Sequence, residues 1–282
     1  MSTLREKRKK ERRALRRRKT ADWTVVLILC AIAVCCGGYL VYHHWSVKQR
    51  ELEYEKLRQE ETLSAATETV IAESETEEST EEAVIYCDPV YDFGQLHEQN
   101  EDIYAWIVVP GTQVDYPVLQ SETDNYYLDY NLDHSKGYPG CIYTNQCNRK
   151  DFSDYNTVLY GHNMKNGSMF GSIHSFEDET FFDGHPYIYV YTENERLTYE
   201  IYEAAKFTDV YIPSEYVVSS KDDRDQFLAD VREKVSDNKL HVREDMQIGE
   251  DDRLITLSTC VNGERNHRYL VIGVLVETAV YR

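Results

Sequence analysis

The sequence predicts a mainly β chain: an eight-stranded, closed or nearly closed barrel with short N-terminal helices, preceded by a helix that crosses a membrane. Three observations predict it. From residue 85 onward, eight short runs of β-branched, aromatic and aliphatic residues alternate with turn signals, and one longer helical pattern interrupts them. Residues 24–42 form a run of nineteen residues without a charge. Between these regions, residues 69–83 are dominated by Glu, Ser and Thr, a composition that cannot bury enough apolar surface to offset its ordering entropy.

The charge distribution organises the N-terminal part. The chain has 282 residues and a formal net charge of −19. Residues 1–20 carry eleven Lys and Arg against Glu6 and Glu11, a net of +9, so the rest carries −28. A basic arm suits nucleic acid, but the segment that follows gives it a different use, and no nucleic-acid partner is expected. At 1.5 Å per residue, Thr24–Tyr42 makes about 28 Å of helix, against a bilayer core of about 30 Å. Trp23 on one side, and Tyr42 and Trp45 on the other, fit interfacial anchors. Residues 1–22 are then a basic cytoplasmic tail and residues 23–45 a single transmembrane helix, with the C-terminal bulk outside the cell. A cleaved secretory signal is the rival, but the apolar run is longer than a usual signal core and no Ala-x-Ala site follows it.

Residues 46–84 read as a charged stalk and an acidic linker. Leu52, Leu57 and Leu63 are too sparse for a coiled coil, so residues 46–68 are expected to be a solvated helix. Residues 85–282 form one domain, with about 200 residues to build its core. Val90–Glu98 and Glu101–Trp106 read as short helices, with Asn100 an N-cap candidate for the second. The expected strands are Ile107–Val109, Tyr116–Leu119, Cys141–Thr144, Thr157–Gly161, Tyr187–Thr192, Arg196–Phe207, Asp252–Thr259 and Arg268–Val276. Between the sixth and seventh lies an amphipathic helix, Asp223–Ser236, with Phe227, Leu228, Val231 and Val235 on one face, expected to pack on the barrel.

Seven cysteines are too few and too scattered for a disulfide framework. Cys30, Cys35 and Cys36 lie in the membrane span, and Cys87, Cys141, Cys147 and Cys260 outside it. Whether Cys141 and Cys147 are bridged or free stays open. No CxxC spacing occurs, His43-His44 sits at the membrane boundary, and no metal site is expected.

One strand end carries the chemistry. Thr256-Leu257-Ser258-Thr259-Cys260 closes an apolar strand, Asn262-Gly263 signals a turn within Val261–His267, and Arg268 opens the next strand. Antiparallel pairing across that turn sets Cys260 opposite Arg268. A thiol beside a guanidinium suits acyl transfer once a base is at hand, and His162 stands where the strand ending at Tyr160-Gly161 runs into a loop. Ser258 lies two residues before Cys260 and shares its face. A lone strand cysteine is more often a small buried residue, and His162 could be a hydrogen-bonded loop residue, as His134, His174, His185 and His241 are expected to be. His267 and Arg265 are the rivals of His162 and Arg268. His267 would point to the opposite strand face, and Arg265 lies inside the turn. Tyr126, Tyr127, Tyr138 and Tyr143 could line a peptide groove, with packing on the barrel as their default.

In order along the chain, these residues resemble the class B sortases, membrane-anchored cysteine transpeptidases of Gram-positive bacteria. The resemblance covers about residues 91–276. It rests on Asn100-Glu101-Asp102-Ile103-Tyr104-Ala105-Trp106-Ile107, Asp115-Tyr116-Pro117-Val118, Asp124-Asn125-Tyr126-Tyr127-Leu128, Tyr160-Gly161-His162-Asn163-Met164, Gly167-Ser168-Met169-Phe170 and the strand ending at Cys260. One departure is that Thr144-Asn145 stands after Gly140-Cys141-Ile142-Tyr143, where the family suggests an aspartate. The resemblance implies Cys260 as nucleophile, His162 as acid/base and Arg268 as the residue that stabilises the oxyanion or positions the substrate. Ser258, Thr259, Asn163 and Tyr143 are candidate substrate-binding residues, and no cofactor or metal is implied. It also implies partners: surface proteins that bear a sorting signal, and a peptidoglycan-precursor or pilin amine as acceptor. Hydrolytic release by a cysteine endopeptidase, and a non-catalytic membrane-tethered envelope scaffold, are the other two readings of the sequence.

Overall fold

The computed structural model describes residues 2–65, 84–234 and 240–282 of the chain. The acidic linker at 69–83, and Val235 and Ser236 of the amphipathic helix, lie outside the described residues. In chain order the elements are helix α1 (Ser2–Ala65), strand β1 (Ile85–Cys87), α2 (Phe93–Gln99), β2 (Ile103–Val108), β3 (Asp115–Leu119), α3 (Tyr126–Asp129), β4 (Ile142–Tyr143) and β5 (Asn156–Tyr160). A 3₁₀ helix (Gly171–Glu177), α4 (Glu179–Gly184), β6 (Tyr187–Tyr191), β7 (Glu195–Thr208), α5 (Ile212–Glu215), α6 (Lys221–Lys234), β8 (His241–Val242), β9 (Leu254–Val261) and β10 (Glu264–Tyr281) follow. The chain divides into two compact units, Met1–Leu52 and Glu53–Arg282.

In the first unit the uncharged run is helical, and from Val26 to Tyr42 its side chains are exposed. One helical stretch among the described residues, Val26–Gln59, is long and apolar enough to cross a membrane.

The second unit is the barrel. β7 and β10 pair along most of their length and close a ring of eight strands, β10-β9-β5-β4-β3-β2-β6-β7. Two short strands lie outside it, β1 parallel to β10 and β8 antiparallel to β7. The ring strands coincide with the eight expected from sequence. One expected helix does not form: Glu101–Trp106 overlaps β2, and Asn100 caps the end of α2, while Asp92 is its N-cap. Ile103, Trp106, Ile107 and Val108 are β-branched or aromatic residues that fit a pleated, packed surface better than a helix, and Ile103, Trp106 and Ile107 are fully buried. The stalk reading also changes at its C-terminal end. Tyr54 and Leu57, one turn apart on α1, are buried with the barrel, and the Tyr54 hydroxyl donates to Gly140 O at 3.1 Å. Arg58 Nε donates to Asp115 O at 2.8 Å from the same side.

Strand parity divides the core in two. On β9 and β10, Ile255, Leu257, Tyr269 and Val271 join the barrel interior with Trp106, Ile107 and Phe170. The alternate residues Leu254, Leu270 and Ile272, with Val158 of β5, join Phe227, Leu228 and Val231 of α6 in a second cluster. The amphipathic helix therefore covers part of the barrel's outer face, as its spacing predicts. Where it ends, the same face of β5, β9 and β10 is open.

One charged group lies inside this packing. Glu203 on β7 is fully buried, its Oε1 has no hydrogen-bond partner among the described residues, and its Oε2 is 3.4 Å from Arg232 Nε on α6. Burial raises its carboxyl to about 7, against the opposing pull of Arg232. A carboxyl raised in the folded state keeps its proton between about pH 4.5 and 7, where the unfolded chain has released it. Stability therefore falls as pH rises through that window, by on the order of 1–3 kcal/mol in total. Chemical denaturation of the wild type at pH 5 and pH 7.5 should show this loss, and Glu203→Gln should remove most of it; an equal slope in both proteins would assign the pH dependence elsewhere.

Candidate active site

β5 and β9 are parallel neighbours, with Tyr160 in register with Ser258. The next pair is tied by side chain and main chain: Thr259 Oγ1 donates to Gly161 O at 2.8 Å, and Gly161 N donates to Ser258 O at 3.3 Å. The following residues on the two strands are His162 and Cys260. Parallel strands whose ends coincide in register place the residues just beyond them side by side.

The third member arrives by the hairpin. β9 and β10 turn at Asn262-Gly263, where Gly263 has φ +79°, a left-handed conformation open to glycine. Val261 pairs with Glu264, residues 265–267 bulge, and Arg268 pairs with Cys260. The polar segment expected as a loop from Val261 to His267 is thus a two-residue turn followed by a bulge. Residues directly opposite in an antiparallel pair point to the same face, with Cβ atoms about 4.5–5.5 Å apart. Cys260, Arg268 and His162 all fall on the outer-face parity of their strands. The Cys260 thiol is exposed and Arg268 half-buried. Cys260, Val261, Gly263, Glu264, Arg265 and Arg268 line a surface depression of about 330 Å³. Another depression, of about 570 Å³, is lined by Lys150, Asp151 and Glu195 and by none of these residues.

His162 is held from above. Its Nε2 is 2.7 Å from Leu128 O, and Tyr138, itself half exposed, lies against the ring at 4.8 Å between centroids. A carbonyl only accepts, so Nε2 carries a hydrogen and Nδ1 is the nitrogen free to exchange a proton. Its own carbonyl accepts from Phe170 N at 3.0 Å. The Arg268 guanidinium turns along its own strand entrance, donating through Nη1 to His267 O at 3.0 Å and Arg265 O at 3.3 Å. The two rivals are engaged nearby: His267 Nδ1 lies 3.0 Å from Glu264, and Arg265 contributes that carbonyl.

The four candidate substrate contacts separate. Ser258 is buried one layer beneath Cys260 on the same face, at the floor of the site. Thr259 is buried on the other face and spends its hydroxyl on Gly161. The Asn163 amide is engaged with Cys260 O at 2.7 Å and His174 Nε2 at 3.0 Å. Tyr143 is buried, stacks on Tyr160 at 5.6 Å and donates to Asn125 Oδ1 at 3.1 Å. Burial pushes the Tyr143 phenol up, and the charges of Tyr211, Asp129 and Cys260 add to the effect. Sequence reasoning missed Tyr211, which stacks on Tyr160 at 6.2 Å and accepts from Asn145 Nδ2 at 2.8 Å. Nothing local marks it, because the segment before α5 meets β5 only through the fold. The Thr144-Asn145 departure is absorbed in this network, with Thr144 hydrogen-bonded to Tyr104 at 2.8 Å and Asn145 to Tyr211. Among the other tyrosines, Tyr127 is core, and Tyr126 stacks on Tyr130 at 4.2 Å. Cys141 and Cys147 are not bridged by a disulfide; the first is buried and the second exposed. Among the described residues no group of His, Cys, Asp and Glu could hold a metal ion.

The chain matches the Sortase domain family over residues 107–276. It is similar to sortase B of Listeria monocytogenes, 34% identical over 168 residues that span 58% of this chain and 65% of that protein. The chain thus covers just under two thirds of that relative's length. Sortase B of Staphylococcus aureus is 27% identical over 91% of this chain and 97% of its own. Its structure in complex with a substrate superposes with a TM-score of 0.64, covering 82% of this chain and 97% of the other at 25% identity. The structure of Clostridium perfringens sortase B has a TM-score of 0.59 at 31% identity, covering 66% of this chain and all of the other.

Gly161 sets how closely the histidine approaches the barrel. A Cβ there would lie 2.5 Å from Ile142 Cδ1 and 2.8 Å from the Phe170 ring. Gly161→Ala is expected to destabilise the fold by about 1–3 kcal/mol through overpacking, read as a lowered denaturation midpoint; an unchanged midpoint would mean the neighbours yield without cost.

Proposed function

Since the chain belongs to the sortase family, in its class B branch, we propose that it is a membrane-anchored cysteine transpeptidase. It cleaves the C-terminal sorting signal of surface proteins through a thioester on Cys260 and passes the acyl group to an amine of the cell wall or of another protein. What supports this reading above all is the double register that sets Cys260 beside the exit of β5 and opposite Arg268. Residues 1–22 are the cytoplasmic tail, 23–45 the membrane span, 46–84 the stalk and linker, and 85–282 the catalytic domain outside the cell of a Gram-positive bacterium.

The steps follow from the residue chemistry. The thiolate is the reactive form of a cysteine, and a cationic neighbour favours it. It attacks the carbonyl carbon of the scissile amide, and Arg268 supplies hydrogen bonds and positive charge to the carbonyl oxygen as it turns anionic. His162 gives a proton from Nδ1 to the departing amine as the C–N bond breaks, leaving the acyl group on sulfur. The acceptor amine then attacks the thioester, His162 takes its proton, and Cys260 leaves as thiolate. A thioester is a good acyl donor to amines, which is why sulfur suits a transferase. Ser258 beneath the nucleophile, and Tyr143, Tyr160 and Tyr211 along the same face, bound the groove for a peptide. Class B resemblance suggests a signal of the Asn-Pro-x-Thr type and a peptidoglycan-precursor amine.

The full-length protein in detergent, given such peptides with and without a small primary amine, should form a covalent adduct on Cys260 and a peptide–amine product. Product that never incorporates the amine would make the protein a hydrolase, and cleavage retained by Cys260→Ala would remove the thioester altogether. His162→Ala should abolish the adduct detected by mass spectrometry, and Arg268→Ala should lower the cleavage rate about 10²–10³-fold; a wild-type adduct yield in either variant contradicts its role.

A further inference from the structure

Asn163, the residue after His162, does not face the groove. Its Nδ2 lies 2.7 Å from Cys260 O and 3.0 Å from His174 Nε2, and its two hydrogens match these two acceptors. The opposite amide orientation would set Oδ1 against the carbonyl. His174 Nε2 also lies 3.1 Å from Cys260 O, so both side chains reach the same carbonyl, and Glu177 Oε1 stands 2.7 Å from His174 Nδ1. His174 and Glu177 are i and i+3 on the 3₁₀ helix, where such side chains eclipse. The ring is fixed in plane by stacking on the fully buried Tyr269, 4.9 Å away. Glu177, His174, Asn163 and the Cys260 carbonyl thus form one hydrogen-bonded cluster, and its Asn163 link joins residues 97 positions apart.

We propose that Glu177, His174 and Asn163 are a staple that fixes the main chain of the nucleophile against that of the acid/base residue, so that Asn163 and His174 are positioning residues; the proposal rests on the roles given above to Cys260 and His162. The Thr259–Gly161 bond clamps the two strands one residue before the reacting pair, and the Asn163–Cys260 bond one step beyond it. His162 and Cys260 are therefore bracketed on both sides. Without the outer bond, Cys260 sits at an exposed strand end beside a turn and a bulge, free to drift from His162. A displacement of about 1 Å between reacting groups can cost up to 10²-fold in rate. His174 holds the Asn163 amide and also reaches Cys260 O directly, at 3.1 Å.

The test uses the full-length protein in detergent with Asn163→Ala, His174→Ala, the double variant and His174→Gln, whose side-chain oxygen can accept in place of Nε2. Two readouts are compared: cleavage of a sorting-signal peptide, and the pH profile of iodoacetamide alkylation at Cys260, followed by the mass of the peptide that contains it. Each single alanine variant should lower kcat about 10–100-fold with KM within about twofold, and should shift the midpoint of the alkylation profile. The double variant should lose less than the product of the two single losses, because both side chains hold the same carbonyl, and His174→Gln should recover most of the loss. Wild-type kcat and alkylation in His174→Ala, or losses that multiply in the double variant, would overturn the staple. Alkylation needs no sorting signal, so the staple is decided even if no peptide is cleaved. A wild type that cleaves while the variants match it would sink the staple alone.

Discussion

The parallel pairing of β5 with β9 is the constraint on which the rest of the molecule turns. Parallel neighbours need a long crossover, and here almost a hundred residues separate Tyr160 from Ser258, its register partner. Within that crossover lie the 3₁₀ helix, β6, β7 and α6, so the pairing joins segments that are distant in sequence. The register is strict because both strands are packed on both faces: Leu159 and Leu257 in the interior, Val158 and Leu254 under α6. A slip of one residue would turn each strand inside out. The same slip would send His162 or Cys260 to the interior side of its strand. Core packing and site assembly are in this sense one requirement.

Several buried polar groups in this arrangement are answered from one strand to the next. Thr259 is buried but bonds Gly161, Thr256 is buried and donates to Asn156 Oδ1 at 2.8 Å, and Asn148 bridges Asp154 and the Asn156 carbonyl. These bonds run across β5, β9 and the loop before β5, and each ties down the strands that carry the site. A buried polar group left unanswered costs about 1–3 kcal/mol, so such a lattice penalises any register but the native one. Among the described residues, Glu203 Oε1 on β7 is one of the buried groups left unanswered, with Thr157 Oγ1 and the Tyr160 hydroxyl on β5, and burial keeps the Glu203 carboxyl protonated up to about pH 7.

How much of this could be read from the residues alone follows from the range of each interaction. The eight ring strands were legible because alternation and β-branching are local signals, and the Cys260–Arg268 pairing followed from one Asn-Gly turn. The amphipathic helix was legible by its spacing at Phe227, Leu228 and Val231. Glu101–Trp106 was misread because a six-residue segment carries no usable period, and its β-branched and aromatic content is what decides for a strand. The burial of Tyr54 was missed because its partners, Tyr116 and Gly140, lie more than sixty residues away. The same holds inside the site. Thr259 and Asn163, both expected at the substrate, turn instead to Gly161 and to Cys260 with His174. The family pattern marks such positions as part of the site without saying whether they touch the substrate or hold the residues that do.

That distinction bears on why Cys260 is exposed at all. A thiol at a barrel rim can be approached by two reactants in turn, first a peptide and later an amine, whereas a thiol in a closed pocket would admit one. Exposure has a mechanical cost, since a strand end beside a tight turn and a bulge is held by few interior contacts. In this chain the missing rigidity is supplied from the side: Thr259 on Gly161 beneath the reacting pair, Asn163 on the Cys260 carbonyl above it, and Leu128 with Tyr138 over the imidazole. Each support comes from a different segment, and none of them occupies the outer face where Cys260 and Arg268 lie opposite one another. The site can stay open to solvent and still hold its three chemical groups in place, because its order is carried by hydrogen bonds to main-chain carbonyls behind the sulfur and the imidazole and by a ring packed over the histidine.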